Sequence, residues 1–222
     1  MEIIRSNAGV LLDGLTTTIL LTVLGYLGAL VVGIVVAIFR VSPIAPLRAV
    51  GTVYVEFFRN VPLLSLLILV AFGLPDAGLL LPLFWCGVVS LIASGSAFVC
   101  ESVRSGINTV SLGQSEAARA LGMGFGQQLR LVILPQALAS MVQPLVNVLI
   151  GTLIGSSLCS AIGISEITNV TQQLNIKYAE AVLLFLVSGV AYLVMALGSG
   201  ALGGVLERRV ARSSHQRRQV QA

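Results

Sequence analysis

The placement of charge constrains this chain more than any motif. Asp, Glu, Lys and Arg are absent from residues 14–39, 60–75, 77–100, 131–165 and 181–206. A helix needs about 20 apolar residues to cross a hydrocarbon core of roughly 30 Å. The first, third and fifth runs, of 26, 24 and 26 residues, each supply one crossing. The second has 16 residues and becomes a crossing when extended back over Gly51–Phe58, with Glu56 and Arg59 near its polar end. The fourth is awkward. Its 35 residues would make a helix of about 52 Å, too long for one crossing and too short for two plus a turn. Pro135, Pro144, Gly151, Gly155 and Gly163 interrupt it, so we place one crossing at about 140–160, with the residues before it in a cytoplasmic loop. The expected architecture is all-α: a single polytopic domain over 1–222 with spans at about 14–39, 53–75, 77–100, 140–160 and 181–206.

Composition agrees. Charged residues make up 10% of the chain against about 25% in a soluble domain, and mean hydropathy is +0.99. That excludes a cytosolic enzyme and a disordered chain. The net charge of +4 comes mostly from the tail, which argues against nucleic acid as a partner. Cys86, Cys100 and Cys159 all lie in apolar stretches without metal-ligand spacing and read as buried hydrophobes.

Five crossings put the termini on opposite sides. Eleven of the thirteen Lys and Arg residues fall on one side, and only Arg5 and Lys177 on the other. The basic side is cytoplasmic by the positive-inside rule, which places the N-terminus outside and the C-terminus inside. The first run is too long for a signal-peptide core and lacks a cleavage site, so it is expected to stay in the mature chain. The tail Glu207–Arg218 reads as an anchor on anionic lipid of the bilayer.

The longest cytoplasmic segment covers about residues 101–134. Within it, Ser111 and Gln114 fit a capping box, Ala117, Ala118, Ala120 and Leu121 favour helix, and Gly122 suits a C-terminal stop. A helix of two turns is too short to persist alone in water, so its small face of Ala117, Ala118 and Leu121 needs a neighbour. The neighbour is either this protein's own helices or a groove on a cytoplasmic partner.

Glu116-Ala117-Ala118, three residues, Gly122, nine residues, Val132, one residue and Leu134-Pro135 resemble the EAA loop of bacterial ABC-importer permeases, about residues 104–135, with Val132 where isoleucine is usual. Four further segments resemble the polar and glutamate-type amino-acid subfamily: Gly14–Thr18, Tyr54–Pro62, Phe72–Pro75 and Glu101–Ile107. The resemblance implies a type I ABC-importer transmembrane domain that moves an amino acid, polar or acidic such as glutamate, into the cell by alternating access. It implies that Glu116, Ala117, Ala118, Leu121, Gly122 and Pro135 belong to a coupling helix and its flank, seated on an ATPase subunit. The chain would be a transport subunit of the bacterial cell membrane and not an enzyme. It would bind no cofactor, with ATP and Mg held by the partner ATPase. Its partners would be a second permease copy or homologous permease, two ATPase subunits and an extracytoplasmic solute-binding protein.

Three Glu-x-x-Arg pairs, Glu56–Arg59, Glu101–Arg104 and Glu116–Arg119, sit at the cytoplasmic margin. An i,i+3 spacing places each pair on one helix face, where the charges neutralise one another. Glu56, Arg59, Asn60 and Pro62 are also gate candidates through their family-like segment. In the fourth span Asn147, Thr152, Ser156 and Ser157 offer uncharged hydrogen-bonding groups beside Gly151 and Gly155. They form either a solute path at a helix break or a packing face of small residues. Many relatives in the family carry a Lys and an Asp or Asn just before the position of Ser156, where this chain has Ile154 and Gly155. Without charge there, selectivity is expected to rest on the binding protein or on the other membrane half.

His215 is the one histidine and lies in the tail, which leaves no histidine-based catalytic or metal site. No Walker-type loop is present, so ATP hydrolysis belongs to another subunit. Two other transport readings stand beside the leading one. A permease for another small solute such as methionine would share the five spans, and an ion-coupled secondary transporter would need ionisable groups in the membrane core. A non-transporting scaffold would leave the EAA spacing unexplained.

Overall fold

The computed structural model describes residues 2–219, with side chains described for all of these except Phe125 and 211–219. The chain runs through α1 (Glu2–Ser6), α2 (Ala8–Val41), α3 (Ala45–Asn60), α4 (Leu63–Ile68), α5 (Leu74–Asp76), α6 (Leu83–Asn108), α7 (Leu112–Ala120), α8 (Phe125–Gln128), α9 (Leu134–Ser156), α10 (Ile167–Tyr178) and α11 (Ala181–Gln219). Wider π turns at Leu69–Gly73 and Leu129–Ile133 join α4 to α5 and α8 to α9, and a 3₁₀ turn at Ser157–Ile162 extends α9. No strand occurs among the described residues.

Four stretches are long and apolar enough to cross a membrane alone: Ala8–Val41, Leu83–Asn108, Gly126–Ile162 and Ala181–Val210. The second apolar segment differs from the straight span expected at 53–75. Ala45–Asn60 and Leu63–Asp76 meet at a bend of 102°. Pro62 is the cause. It has no N–H to continue the ladder and pushes the preceding residue out of the helical region, and Val61 is extended at φ −86, ψ 127. Glu56, Arg59 and Asn60 therefore end one helix and do not begin a continuous span.

The fourth span is also corrected. The residues before 140 are not a loop, because helix runs from Phe125 through the π turn into α9. Pro135 is absorbed at the start of α9, where the Leu134 N–H reaches back to Leu129 O in the wider turn. Gly151 and Gly155 do not break the helix. Pro144 lies inside it, and the stop comes at Gly163, whose φ of +87 suits a residue without Cβ.

Helix packing in lipid gains little from the hydrophobic effect and relies on close approach through small residues. The pairing of α2 with α6 follows this rule at Gly33, where an added Cβ would sit 2.6 Å from Val99 Cβ and 2.7 Å from the Ser96 carbonyl. Leu21, Leu67, Leu91, Cys159 and Ile162 build one apolar core, and Val36, Val55, Ala97 and Cys100 build another. All three cysteines are free and buried, as their apolar settings suggest. On α11, Leu186, Leu193, Val194, Leu197 and Leu202 face outward, where a bilayer would cover them.

A third core joins Leu11 of α2, Ile167, Val170 and Leu174 of α10, and Leu184 of α11. Sequence reading missed the group that fixes it. Glu166 is fully buried and caps α10, accepting from the Thr168 N–H at 2.9 Å, the Asn169 N–H at 2.8 Å and the Tyr192 hydroxyl at 2.7 Å. The Ile167 N–H donates to Thr18 Oγ1 on α2 at 3.1 Å. Burial pushes the Glu166 carboxyl above the ordinary carboxylate range, against the hydrogen bonds that favour its charged form. The expectations for Arg212, His215, Arg217 and Arg218 lie outside the described side chains.

Candidate functional site

Two features stand out: an exposed short helix at the arginine-rich end, and a cavity that opens between the helices it connects. The short helix is α7, nine residues long and so about two and a half turns. Ser111 is its N-cap with an extended backbone, but its side chain makes no capping hydrogen bond, so the expected capping box does not form. The stop is as expected. Gly122 has φ +75, and its N–H and that of Met123 close on Arg119 O and Ala118 O at 2.9 and 3.1 Å.

Of the small face, only Ala118 packs inward. Ala117 and Glu116 are exposed, and Leu112 and Leu121 are 80% and 82% exposed. The helix is thus seated by one alanine and presents two leucines outward. Pro135 is half-buried at the root of α9, thirteen residues beyond Gly122. In the chain α7 joins α6 to α9.

Those two helices line the cavity, which has a volume of about 560 Å³. Along α6 the lining runs from Leu91 to Ser105, a length of about 21 Å at the helical rise. From α9 come Pro144, Asn147, Val148, Gly151 and Thr152, and from the bent second span Arg59 and Leu63. The site therefore joins two groups that sequence reading kept apart, the gate candidate Arg59 and the path candidates Asn147 and Thr152.

The other candidates fall outside it. Ser156 is buried with its hydroxyl on Leu153 O at 2.6 Å, and the Ser157 hydroxyl is on Ile154 O at 2.7 Å. Both bond to their own helix, as packing residues do. Glu56 is exposed, the Asn60 side chain donates to Glu56 O at 2.6 Å, and Pro62 makes the bend.

Charge at the cavity is arranged differently from the expected local pairs. Glu101 of α6 is the shared carboxylate of three guanidiniums. It binds Arg40 of α2 in a close ion pair, Arg104 of its own helix at 3.4 Å and Arg59 of α3 at 3.7 Å. Of the three Glu-x-x-Arg pairs only Glu101–Arg104 forms among the described residues, and Arg59 turns away from Glu56. Arg59 also lies over the Phe98 ring, 5.9 Å from its centroid. Charge is absent from α9 but enters from α3 and α6. Ser94, Ser102 and Ser105 join the polar lining, and nothing in their spacing had singled them out.

Comparison with known proteins decides the family. Residues 29–212 match the family of binding-protein-dependent transport system inner membrane components. The chain belongs to this family. As a membrane-spanning permease subunit of an ABC importer, it is 36% identical over 214 residues to the glutamate transport system permease protein GluC of Corynebacterium glutamicum, covering 90% of this chain and 94% of that one. It is 31% identical over 201 residues to the arginine transport system permease protein ArtQ of Bacillus subtilis, covering 90% and 92%. A chain in the crystal structure of an amino acid ABC transporter with histidines matches with a TM-score of 0.88 and 33% identity, over 93% of this permease and 96% of that chain. The all-α fold is that of a type I ABC-importer transmembrane domain, and the protein is a multi-pass membrane protein.

Proposed function

We propose that this permease carries a polar or acidic amino acid into the cell through the cavity between α3, α6 and α9, driven by a separate ATPase that seats α7. The observation that carries the reading is the exposure of Leu112 and Leu121, at 80% and 82%, on a short helix that the chain connects to both long walls of the cavity, through residues 109–111 to α6 and through residues 121–133 to α9. A short helix moves as a unit because its backbone bonds are internal, so a push on α7 is passed to α6 and α9. Relatives named for glutamate and arginine transport support the solute class.

In this reading ATP and Mg are bound by the ATPase, and Glu116, Ala117, Leu121 and Gly122 contact or shape the coupling surface, with Ala118 seating it and Pro135 stiffening the helix behind it. The arginine-rich end is cytoplasmic and the N-terminus outside. The ion cluster at Glu101 closes the cytoplasmic end of the path when α6 and α3 are together. The full assembly pairs this chain with a second copy or a related permease, two ATPase subunits and an extracytoplasmic solute-binding protein.

The test is uptake by Gly122→Leu and Glu116→Lys variants in cells. An added Cβ at Gly122 meets nothing within 4 Å, so the cost is the positive φ alone, about 1–2 kcal/mol. Both variants are expected to reach the membrane at normal abundance and to lose uptake while ATP hydrolysis continues. Normal uptake by both would overturn the coupling role.

A further inference from the structure

The ion cluster at the mouth of the cavity is unbalanced. Arg40, Arg59 and Arg104 bring three positive charges to the single carboxylate of Glu101, a local excess of +2 (three minus one). The three guanidiniums are not equally committed. Arg40 is 13% exposed and held tightly, and Arg104 makes a hydrogen bond to the other carboxylate oxygen. Arg59 is 46% exposed, stands 3.7 Å away without a hydrogen bond, and is the only one of the three that lines the cavity. The cluster is also short of acceptors, for the Nε of Arg104 is buried with no partner. Elsewhere the charged side chains of the lining number none: besides Arg59 and Glu101, the walls are apolar or carry hydroxyl and amide groups.

An ordinary amino acid is a zwitterion and brings no net charge to such a place. A solute with a second carboxylate brings one negative charge and two further acceptor oxygens, in a setting where low dielectric walls make the attraction felt. We propose that Arg59 sets the charge preference of the path, its guanidinium leaving Glu101 for the side-chain carboxylate of an acidic amino acid, so that acidic solutes are favoured over neutral ones of the same shape. This rests on the cavity being the solute path. Phe98 keeps the guanidinium over the cavity during the exchange, and Arg40 and Arg104 keep Glu101 compensated when Arg59 departs. A planar guanidinium suits the role because it holds a carboxylate through two parallel N–H donors.

The experiment uses the intact permease–ATPase complex in detergent without its binding protein, so that selection upstream does not intrude. Glutamate and glutamine are the probes, since they differ only in carboxylate against amide, and binding is read by calorimetry. The wild type is expected to prefer glutamate by at least about tenfold. Arg59→Gln is expected to reduce that preference to within about twofold by weakening glutamate far more than glutamine, Arg59→Lys to keep part of it through its charge, and Arg48→Gln to leave it intact. Arg48 lies on the same helix but away from the lining, so it controls for loss of one charge. Equal binding of the two amino acids by the wild type, or an equal loss of both in Arg59→Gln, overturns the charge preference while leaving the path in place. Failure of both amino acids to bind the wild type overturns the reading of the cavity as the path.

Discussion

Truncating Leu121 to alanine separates folding from assembly. The side chain is 82% exposed, and its N–H donates to Ala117 O at 3.1 Å through the backbone, which alanine preserves. The isolated permease is therefore expected to lose under about 0.5 kcal/mol of stability. Docking into an ATPase cleft would bury those carbons. The truncation removes three of them, each contributing about 0.8 kcal/mol on full burial, and scaling by the exposed fraction gives about 2 kcal/mol. That is about a 30-fold weaker complex. Leu112 sits nine residues away, about 13 Å along the helix, so the two truncations act independently. The double variant is then expected to bind about a thousandfold more weakly. The assay is titration of immobilised permease with purified ATPase, beside a thermal melt of the permease alone. An ATPase affinity within about threefold of wild type would refute the docking argument. So would a melt that falls as far as the affinity does, because the leucine would then be serving the permease's own fold.

Two other positions give sharp expectations. Gly33→Ala forces a Cβ to within 2.7 Å of the Ser96 carbonyl, a backbone atom that cannot swing away, so α2 and α6 must separate; a loss of about 1–3 kcal/mol in a denaturation series is expected. Glu166 tests the buried cap of α10 through pH. Its carboxyl is raised in the folded chain by burial, so the folded state holds its proton more firmly than the unfolded one. Stability from this group is full below the ordinary carboxylate range and is lost as pH rises through the folded value. Glu166→Gln cannot titrate, so the melting difference between it and wild type is expected to grow from acid toward neutral pH, with the wild type the less stable at the higher pH; a difference constant with pH would refute the assignment.

The features legible in the sequence were those set by position along a single helix. Charge-free runs mark the long apolar helices because each such helix must be apolar along its own length. Gly122 was readable as a stop because its requirement, a positive φ, is local. The bend at Pro62 is hidden for a related reason: absence of charge reads as continuity, though Pro62 itself carries the signal. At residues 125–139 the opposite error arose. Pro135 reads as an interruption in the sequence, whereas a π turn lets a helix pass through a residue without an N–H. Glu166 was invisible because its partners lie on α10 and α11, and only the fold brings Tyr192 to it.

The ion cluster shows the same limit and also why it matters. Spacing within one helix suggested that Glu56 neutralises Arg59 and that Glu101 neutralises Arg104. In the fold, Arg40 reaches Glu101 across 61 residues of sequence, and Arg59 reaches it from a third helix. One carboxylate thus ties α2, α3 and α6 together at the end of the cavity. Seven residues further on α6 ends at Asn108, and α7 begins at Leu112. About 10 Å of continuous helix separates the carboxylate from the end of α6, and a helix that short bends little. Under the proposed coupling, a displacement of α7 passed through residues 109–111 moves Glu101 relative to Arg40 and Arg59, whose helices are not joined to α7 in the chain. The contact that strains first is the one with the longest distance and no hydrogen bond, Arg59 at 3.7 Å, which is also the one facing the cavity. Under the proposed coupling and charge preference, both act on this one contact: a push on α7 loosens Arg59 from Glu101 before it disturbs the closer Arg40 pair, and a solute carboxylate would compete for the guanidinium at that point.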